Sequence, residues 1–513
     1  MKKILITLLI AAALAPMPGK ADDQQIPLLP ELIKRFEQFN RLYSQKRKAG
    51  ADLSAIEPVR KRVEEAFKSF NIPEMIEAQS EAIAMLEGKR WDEKQRFIDS
   101  LTLAPDRLVI ELNQELQVSL IQMFPANGEK FFGAQPTVSF DIIPSRVSPP
   151  ADFPISPEPV NIAQRLLMGE TVTRASRRLR LLDGIYKLVA TIEAGGQKVA
   201  EVRKTLYAIS DFPERIQGLY SMVNWIKTST ELRVQAFSGL VTTAEFQLER
   251  LASLKSGVGE KDINPIAEFD RIERVLIDLS EGRNPFYAER GEIERAYRAK
   301  DGKLVPYRVY VPQSYDGEAA KPLIILLHGA LGDERSYFSN LYDPSAIEGE
   351  AERRGYILAA PNGRDRFGGY GDTGREDVFQ VIEGVLRDYE IVESRIYLTG
   401  HSVGGSGVWM VAASRPEFFA AIATVSGPGP GKDKTMNALF EKLKSIPALI
   451  LHGARDGIIP PDNSRKMVEA AERARLKATY VEVPESDHFT VVAATWPTIL
   501  DFFDKNVKRT NEK

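Results

Sequence analysis

The chain has 513 residues, 43% of them hydrophobic and 27% charged, with a formal net charge of −3. That length exceeds what one hydrophobic core usually organises, so roughly two to four domains are expected, and the near-balanced charge offers no electrostatic grip on nucleic acid or an anionic membrane. Cysteine is absent, which excludes disulfides, thiolate catalysis, cysteine metal sites and a lipid-modified N-terminal cysteine.

Lys2 and Lys3 precede an unbroken apolar or small run from Ile4 to Ala15, and Ala12-Ala13-Leu14-Ala15 or, by preference, Gly19-Lys20-Ala21 offers a cleavage site. The run is shorter than the roughly 20 residues a membrane-spanning helix needs. Residues 1–21 are therefore predicted to be a cleaved signal peptide, and the protein to be exported, periplasmic or extracellular, with no membrane span. Residues 22–100 read as a helical region. Leu32, Phe36, Phe39, Leu42 and Tyr43 fall on one helical face, and Ile56, Val59, Val63, Phe67 and Phe70 on another. Charge covers the opposite faces, so both helices are expected to pack on a neighbour.

The period changes over residues 101–210, which read as a small, β-rich, sandwich-like module. Leu108 to Asn113, Leu116 to Met123, Gly184 to Glu193 and Lys198 to Ile209 are β-prone. The last two flank Ala194, Gly195, Gly196 and Gln197, a hairpin signal. Pro144, Pro149, Pro150, Pro154, Pro157 and Pro159 forbid continuous helix and predict an irregular connection. Residues 211–283 read as a helical bridge, whose last helix carries Ile266, Phe269, Ile272, Val275, Leu276 and Leu279 and stops at Gly282.

From 284 to 513 strands and helices alternate. Apolar strand-like runs occur at 307–311, 322–327, 356–360, 395–399, 420–425, 447–452 and 478–483, with amphipathic helices such as 374–389 and 463–475 between them. This pattern predicts an α/β fold, a mainly parallel sheet with helices on both faces. Ligands of such sheets bind beyond the carboxyl ends of the strands.

One constellation carries chemistry. The run from Arg395 to Thr399 leads into Gly400, His401, Ser402, Val403, Gly404 and Gly405, followed by an apolar helical segment. This is G-x-S-x-G in the strand–turn–helix setting that exposes a serine hydroxyl above a sheet. A serine needs a base to take its proton. Of the four histidines, His401 adjoins the nucleophile on a tight turn, and His328 and His452 each end a strand before a glycine. His488, in a loop after the last strand, is the expected base. Asp456, which follows the strand at 447–452, fits the third position. Asp462 and Asp487 are rivals, the first as a helix cap and the second as a neighbour of the base. The backbone amides of Ala330, with Leu331 as an additional candidate beside it, and of Val403 are the expected oxyanion donors. The loop from Pro361 to Gly374 follows a strand end, and Arg364, Arg366 and Tyr370 in it are candidate substrate contacts. No metal site is expected.

These features resemble the α/β-hydrolase superfamily over residues 284–513, and most of all its secreted esterases, the feruloyl esterases and polyhydroxybutyrate depolymerases. The words that carry the resemblance are the strand with His328 and Gly329 at 322–332, the segment from Asp377 to Gly405, and the run from His452 to Asp456. The prolyl-oligopeptidase branch is similar in the same places, and a binding protein with an inactive hydrolase fold is a third reading. The resemblance implies hydrolysis of a small-molecule or polymer-linked carboxylic ester, without metal or organic cofactor. The chain as a whole is thus read as multidomain, a C-terminal α/β hydrolase preceded by helical and small β-sandwich-like regions. Only Ser426 to Ile446 separate the strands at 420–425 and 447–452, too little chain for an independent cap, so an open site is expected.

Overall fold

A computed structural model describes residues 28–508 apart from 112, 148–158, 169–171, 255–262, 340, 366–368 and 432. The predicted signal segment 1–21, Arg366 and the prolines at 149, 150, 154 and 157 lie outside the described residues. The chain divides into two compact units. Asp22–Arg35 and Asp52–Pro285 form one, and Phe36–Ala51 joins Phe286–Lys513 in the other. The region expected to be helical at 22–100 contributes helices to both units. The helix Leu29–Lys48 belongs, from Phe36 onward, to the unit that holds the last part of the chain.

After the start of the helix Leu29–Lys48, the first unit continues with the helices Glu57–Lys68, Ile72–Leu86 and Glu93–Asp99. Asn71 and Asp92 cap the last two, their side chains accepting from the amides of Glu74 and Gln95. Phe70, expected on a helical face, takes φ 54° beyond the helix end. Eight strands follow: β1 (Leu101–Pro105), β2 (Val109–Ile110), β3 (Glu115–Gln122), β4 (Thr137–Val147), β5 (Val160–Leu167), β6 (Val172–Arg178), β7 (Gly184–Ala194) and β8 (Gln197–Ala208). They form two sheets, in the orders β1-β3-β6 and β2-β8-β7-β4-β5. The predicted hairpin is β7–β8, and Gly195 and Gly196 turn it with φ 59° and 78°, as a two-residue primed turn requires. The irregular connection expected before β7 is corrected: it contains β4, β5 and β6. Pro144 stands inside β4 at a register shift against β7, a bulge where a missing N–H breaks no regular ladder.

The predicted bridge consists of the helices Phe212–Thr228, Leu232–Gln235, Val241–Ser253 and Pro265–Ser280. Gly282 ends the last with φ 74°. Its amide reaches Leu279 O at 3.1 Å, and that of Arg283 reaches Asp278 O at 2.8 Å, a Schellman stop.

In the second unit β9 (Gly291–Arg298), β10 (Leu304–Val311), β11 (Lys321–Leu327), β12 (Ile357–Pro361), β13 (Ile391–His401), β14 (Ala421–Val425), β15 (Ala448–Gly453) and β16 (Ala478–Val483) form one sheet in the order β16-β15-β14-β13-β11-β12-β10-β9. The strands from β11 to β16 pair in parallel, and β10 and β9 close the edge antiparallel. β9 escapes a hydropathy reading because it buries charge as pairs: Glu294 meets Arg308 at 3.0 Å, and Arg295 meets Asp388 at 2.6 Å. Ile324, Leu326, Leu358, Ala360, Ala423 and Leu451 share one core with the helices Pro344–Arg354 and Thr490–Lys505. The alternate residues Leu323, Ile325, Leu327 and Leu398 are equally buried and face the other side, where the helices Asp372–Asp388 and Val403–Ser414 pack. Among the described residues, no helix is long and apolar enough to cross a membrane.

Candidate active site

β13 ends at His401 and the helix Val403–Ser414 begins one residue after Ser402. Ser402, between them, takes φ 56° and ψ −118°, a strained backbone for a residue with a side chain. The chain can turn so sharply because Gly400 and Gly404 have none. A Cβ on Gly404 would lie 2.1 Å from Leu327 O, and one on Gly400 2.4 Å from Gly404 O. The Ser402 amide donates to Val425 O at 2.9 Å and ties the turn to β14. Its hydroxyl stands at a helix N-terminus, where unpaired amides and the helix dipole favour negative charge.

His488 brings the next two residues together. Its Nε2 lies 3.0 Å from Ser402 Oγ, and its Nδ1 lies 2.7 Å from Asp456 Oδ2. A carboxylate only accepts, so Nδ1 carries the proton and Nε2 turns its lone pair to the serine hydroxyl. Burial would raise the Asp456 carboxyl, but the electrostatic interaction with the His488 imidazole and hydrogen bonds from His452 and His488 outweigh it and hold the group below the usual carboxylate range. The other Asp456 oxygen accepts from the amides of Ile458 and Ile459 at 3.0 and 2.8 Å. His452 buttresses the same carboxylate, with Nε2 3.2 Å from Oδ2, while Ser464 Oγ meets its Nδ1 at 2.7 Å. The rivals turn elsewhere. Asp462 pairs with Arg465 at 2.6 Å, and Asp487 accepts from the amides of Phe489 and Thr490, both at 2.9 Å.

The loop after β11 lies against Ser402: a Cβ on Gly329 would stand 3.3 Å from Ser402 Cβ. Buried tyrosines shape it. Tyr370 Oη accepts from the His328 amide at 2.9 Å and Tyr342 Oη from the Gly329 amide at 3.2 Å, while Tyr337 donates to Leu327 O at 3.1 Å. Leu331 takes φ 63°, and the Gly332 amide folds back to Gly329 O at 3.2 Å. Ala330 follows Gly329 in this loop, and Val403, at the first helical position, has no intrahelical acceptor for its amide. The two expected oxyanion donors therefore stand on the two segments that meet at Ser402.

Two expected substrate contacts are corrected. The Arg364 guanidinium binds Asp377 at 2.8 to 3.1 Å and Asp301 at 3.0 Å. Asp377 is fully buried, and a buried carboxylate has to be paired. Tyr370 is also fully buried, packed on Gly407, where a Cβ would meet its ring at 2.8 Å, so it props the His328 loop. Sequence reasoning missed Tyr337 and Tyr342, which lie in a loop without apolar period, and missed that His452 stands against the Asp456 carboxylate. Among the described residues, no group of three or more His, Cys, Asp and Glu side chains is placed to hold a metal ion.

No family model matches the chain. A protein named as feruloyl esterase C of Aspergillus terreus is 30% identical over 166 residues, 31% of this chain and 58% of that protein. The bifunctional acetylxylan esterase/xylanase XynS20E of Neocallimastix patriciarum is 25% identical over 211 residues, 39% of this chain and 29% of that protein. Over its last part the chain is thus similar to α/β-hydrolase esterases. The uncharacterized peptidase YuxL of Bacillus subtilis is 24% identical over 234 residues, 38% of this chain and 35% of that protein. The chain thus spans less than two thirds of the length of each of these relatives.

Proposed function

We propose that the protein is an exported serine hydrolase that cleaves carboxylic esters, small or polymer-linked, through an acyl-enzyme. The observation that carries the reading is the hydrogen-bonded series Ser402, His488 and Asp456, at 3.0 and 2.7 Å, on the strand-to-helix turn. In the proposed reaction His488 Nε2 takes the proton of Ser402 Oγ as the oxygen attacks the ester carbonyl. Asp456 holds the Nδ1–H and stabilises the imidazolium. The amides of Ala330 and Val403 receive the developing oxyanion. His488 then returns its proton to the leaving alcohol, and a water activated by the same nitrogen frees the acid.

The similarity to feruloyl and acetylxylan esterases supports an ester over a peptide. The likeness to a peptidase keeps a prolyl-oligopeptidase type of cleavage as a second reading. Against it, the described upstream strands form sheets of three and five, not a series of four-stranded blades. Export rests on the Lys2 and Lys3 start and the apolar run behind it.

A panel of acetyl, feruloyl and hydroxybutyrate esters beside proline-containing peptides tests the reading, with fluorophosphonate labelling of Ser402 in parallel. Ester turnover that vanishes in Ser402→Ala is the expected result. Peptide cleavage without ester turnover would favour the second reading, and labelling of Ser402→Ala would remove the nucleophile.

A further inference from the structure

We propose that His401, the residue before the nucleophile, is a positioning residue that couples the oxyanion loop to the base through one hydrogen-bonded chain. The inference rests on the ester-hydrolase reading of the same site. Gly329 N–H reaches Tyr342 Oη at 3.2 Å, Tyr342 Oη lies 3.0 Å from His401 Nδ1, and His401 Nε2 lies 2.7 Å from the carbonyl oxygen of His488. The direction of every link is set by its two ends. A backbone N–H can only donate and a backbone carbonyl can only accept. His401 therefore carries its proton on Nε2, its Nδ1 accepts, and the Tyr342 hydroxyl must donate to it. Tyr342 and His401 are both buried, so no solvent competes for these bonds. Burial, then the neighbouring His488, keeps the His401 imidazole neutral, which is the form the chain of bonds requires.

The ends of this chain are the two places where a hydrolase needs accuracy. Gly329 adjoins Ala330, the proposed donor to the oxyanion. His488 O belongs to the residue whose ring must meet Ser402 Oγ. A shift of either end loosens the geometry that the reaction uses. Ring packing on its own would not supply the link, although it is present: His401 lies 4.6 Å from the His488 ring and 5.2 Å from the Tyr342 ring, centroid to centroid.

Substitutions of the full chain separate hydrogen bonding from packing. Tyr342→Phe removes the middle oxygen and keeps the ring. His401→Phe keeps a ring on both neighbours and removes both nitrogens. Each should lower kcat by about 10- to 100-fold with KM changed by less than about 3-fold, and the double variant should be no worse than the worse single. His401→Gln places an amide near the Nε2 position and should recover part of the rate, whereas His401→Asn, which reaches only the Nδ1 position, should not. A wild-type kcat in either Phe variant below its melting temperature overturns the inference, as do multiplicative losses in the double variant or an Asn variant better than the Gln. Wild-type protein that neither turns over esters nor labels at Ser402 overturns the underlying reading and this inference with it. Active wild type with unaffected variants overturns the inference alone.

Discussion

Ser402 and His488 share one hydrogen bond of 3.0 Å, and residues that act as a unit lose their effect together. Ser402→Ala should lower kcat by roughly 1,000-fold or more, His488→Ala by a similar factor, and the double variant should be little worse. Additive losses in steady-state kinetics would separate the two roles. Asp456→Asn should cost more than Asp462→Asn or Asp487→Asn, because Asp456 holds His488 Nδ1 at 2.7 Å while the other two serve Arg465 and the Thr490 turn. A second expectation concerns Glu334, buried beside the oxyanion loop with Asn362 Nδ2 at 2.5 Å. Burial, then the neighbouring Asp333, raises its carboxyl to about 7. The native state therefore keeps a proton that the unfolded chain has lost, so stability falls as pH rises from about 4.5 to 7 and stays lower above. Glu334→Gln should flatten that slope and raise stability at pH 8 by roughly 1 to 3 kcal/mol, as read from urea midpoints. An unchanged slope would place the pH dependence elsewhere.

The helix Leu29–Lys48 shows how an element distant in sequence can complete a domain. Phe36 is buried with its ring 5.6 Å from that of Phe489, next to His488. Asn40 Nδ2 donates to Leu341 O at 3.0 Å, and Lys48 pairs with Asp343 at 3.0 Å, on either side of Tyr342. The segment thus holds both the loop that carries His488 and the loop that carries Tyr342. A chain cut to 284–513, which the sequence boundary at 284 marks as independent, lacks these contacts. Phe36→Ala should cost about 2 to 4 kcal/mol in the unfolding transition that ends ester turnover, and Lys48→Ala much less, because its ammonium is exposed. A Phe36→Ala protein with an unshifted transition would leave the hydrolase core complete without this helix.

For the whole molecule, access to Ser402 decides which esters react. The connection from β14 to β15 holds one helix, Asp433–Lys442, between Ser426 and Pro447. A mobile cap needs a helix together with hinges beyond the connection itself, and this stretch has little left over. Soluble short-acyl or aryl esters should therefore be preferred, with no rise in rate at an oil–water interface. Rates on p-nitrophenyl esters from acetate to palmitate check this, and a jump above the solubility limit of palmitate would require a lid.

The turn at Ser402 and the candidates His488 and Asp456 that the fold brings to it could be read from the chain because each depends on local constraints. The glycines flank Ser402 within a few residues, and His488 and Asp456 follow predicted strands in order along the sheet. The hairpin at Gly195 and Gly196 and the helix stop at Gly282 were legible for the same reason, a backbone conformation that glycine accepts at low cost. What sequence reading lost depends on partners far away in the chain. The strand β9 hides its burial in ion pairs with Arg308 and Asp388. Arg364 reads as a free cation in a loop until the fold brings Asp377 and Asp301 to it. Tyr342 and His401 stand 59 positions apart, and the bond between them exists only once β13 has been laid beside β11. Local geometry is written in neighbouring residues, whereas the pairing of buried polar groups is settled by which strands and helices pack together.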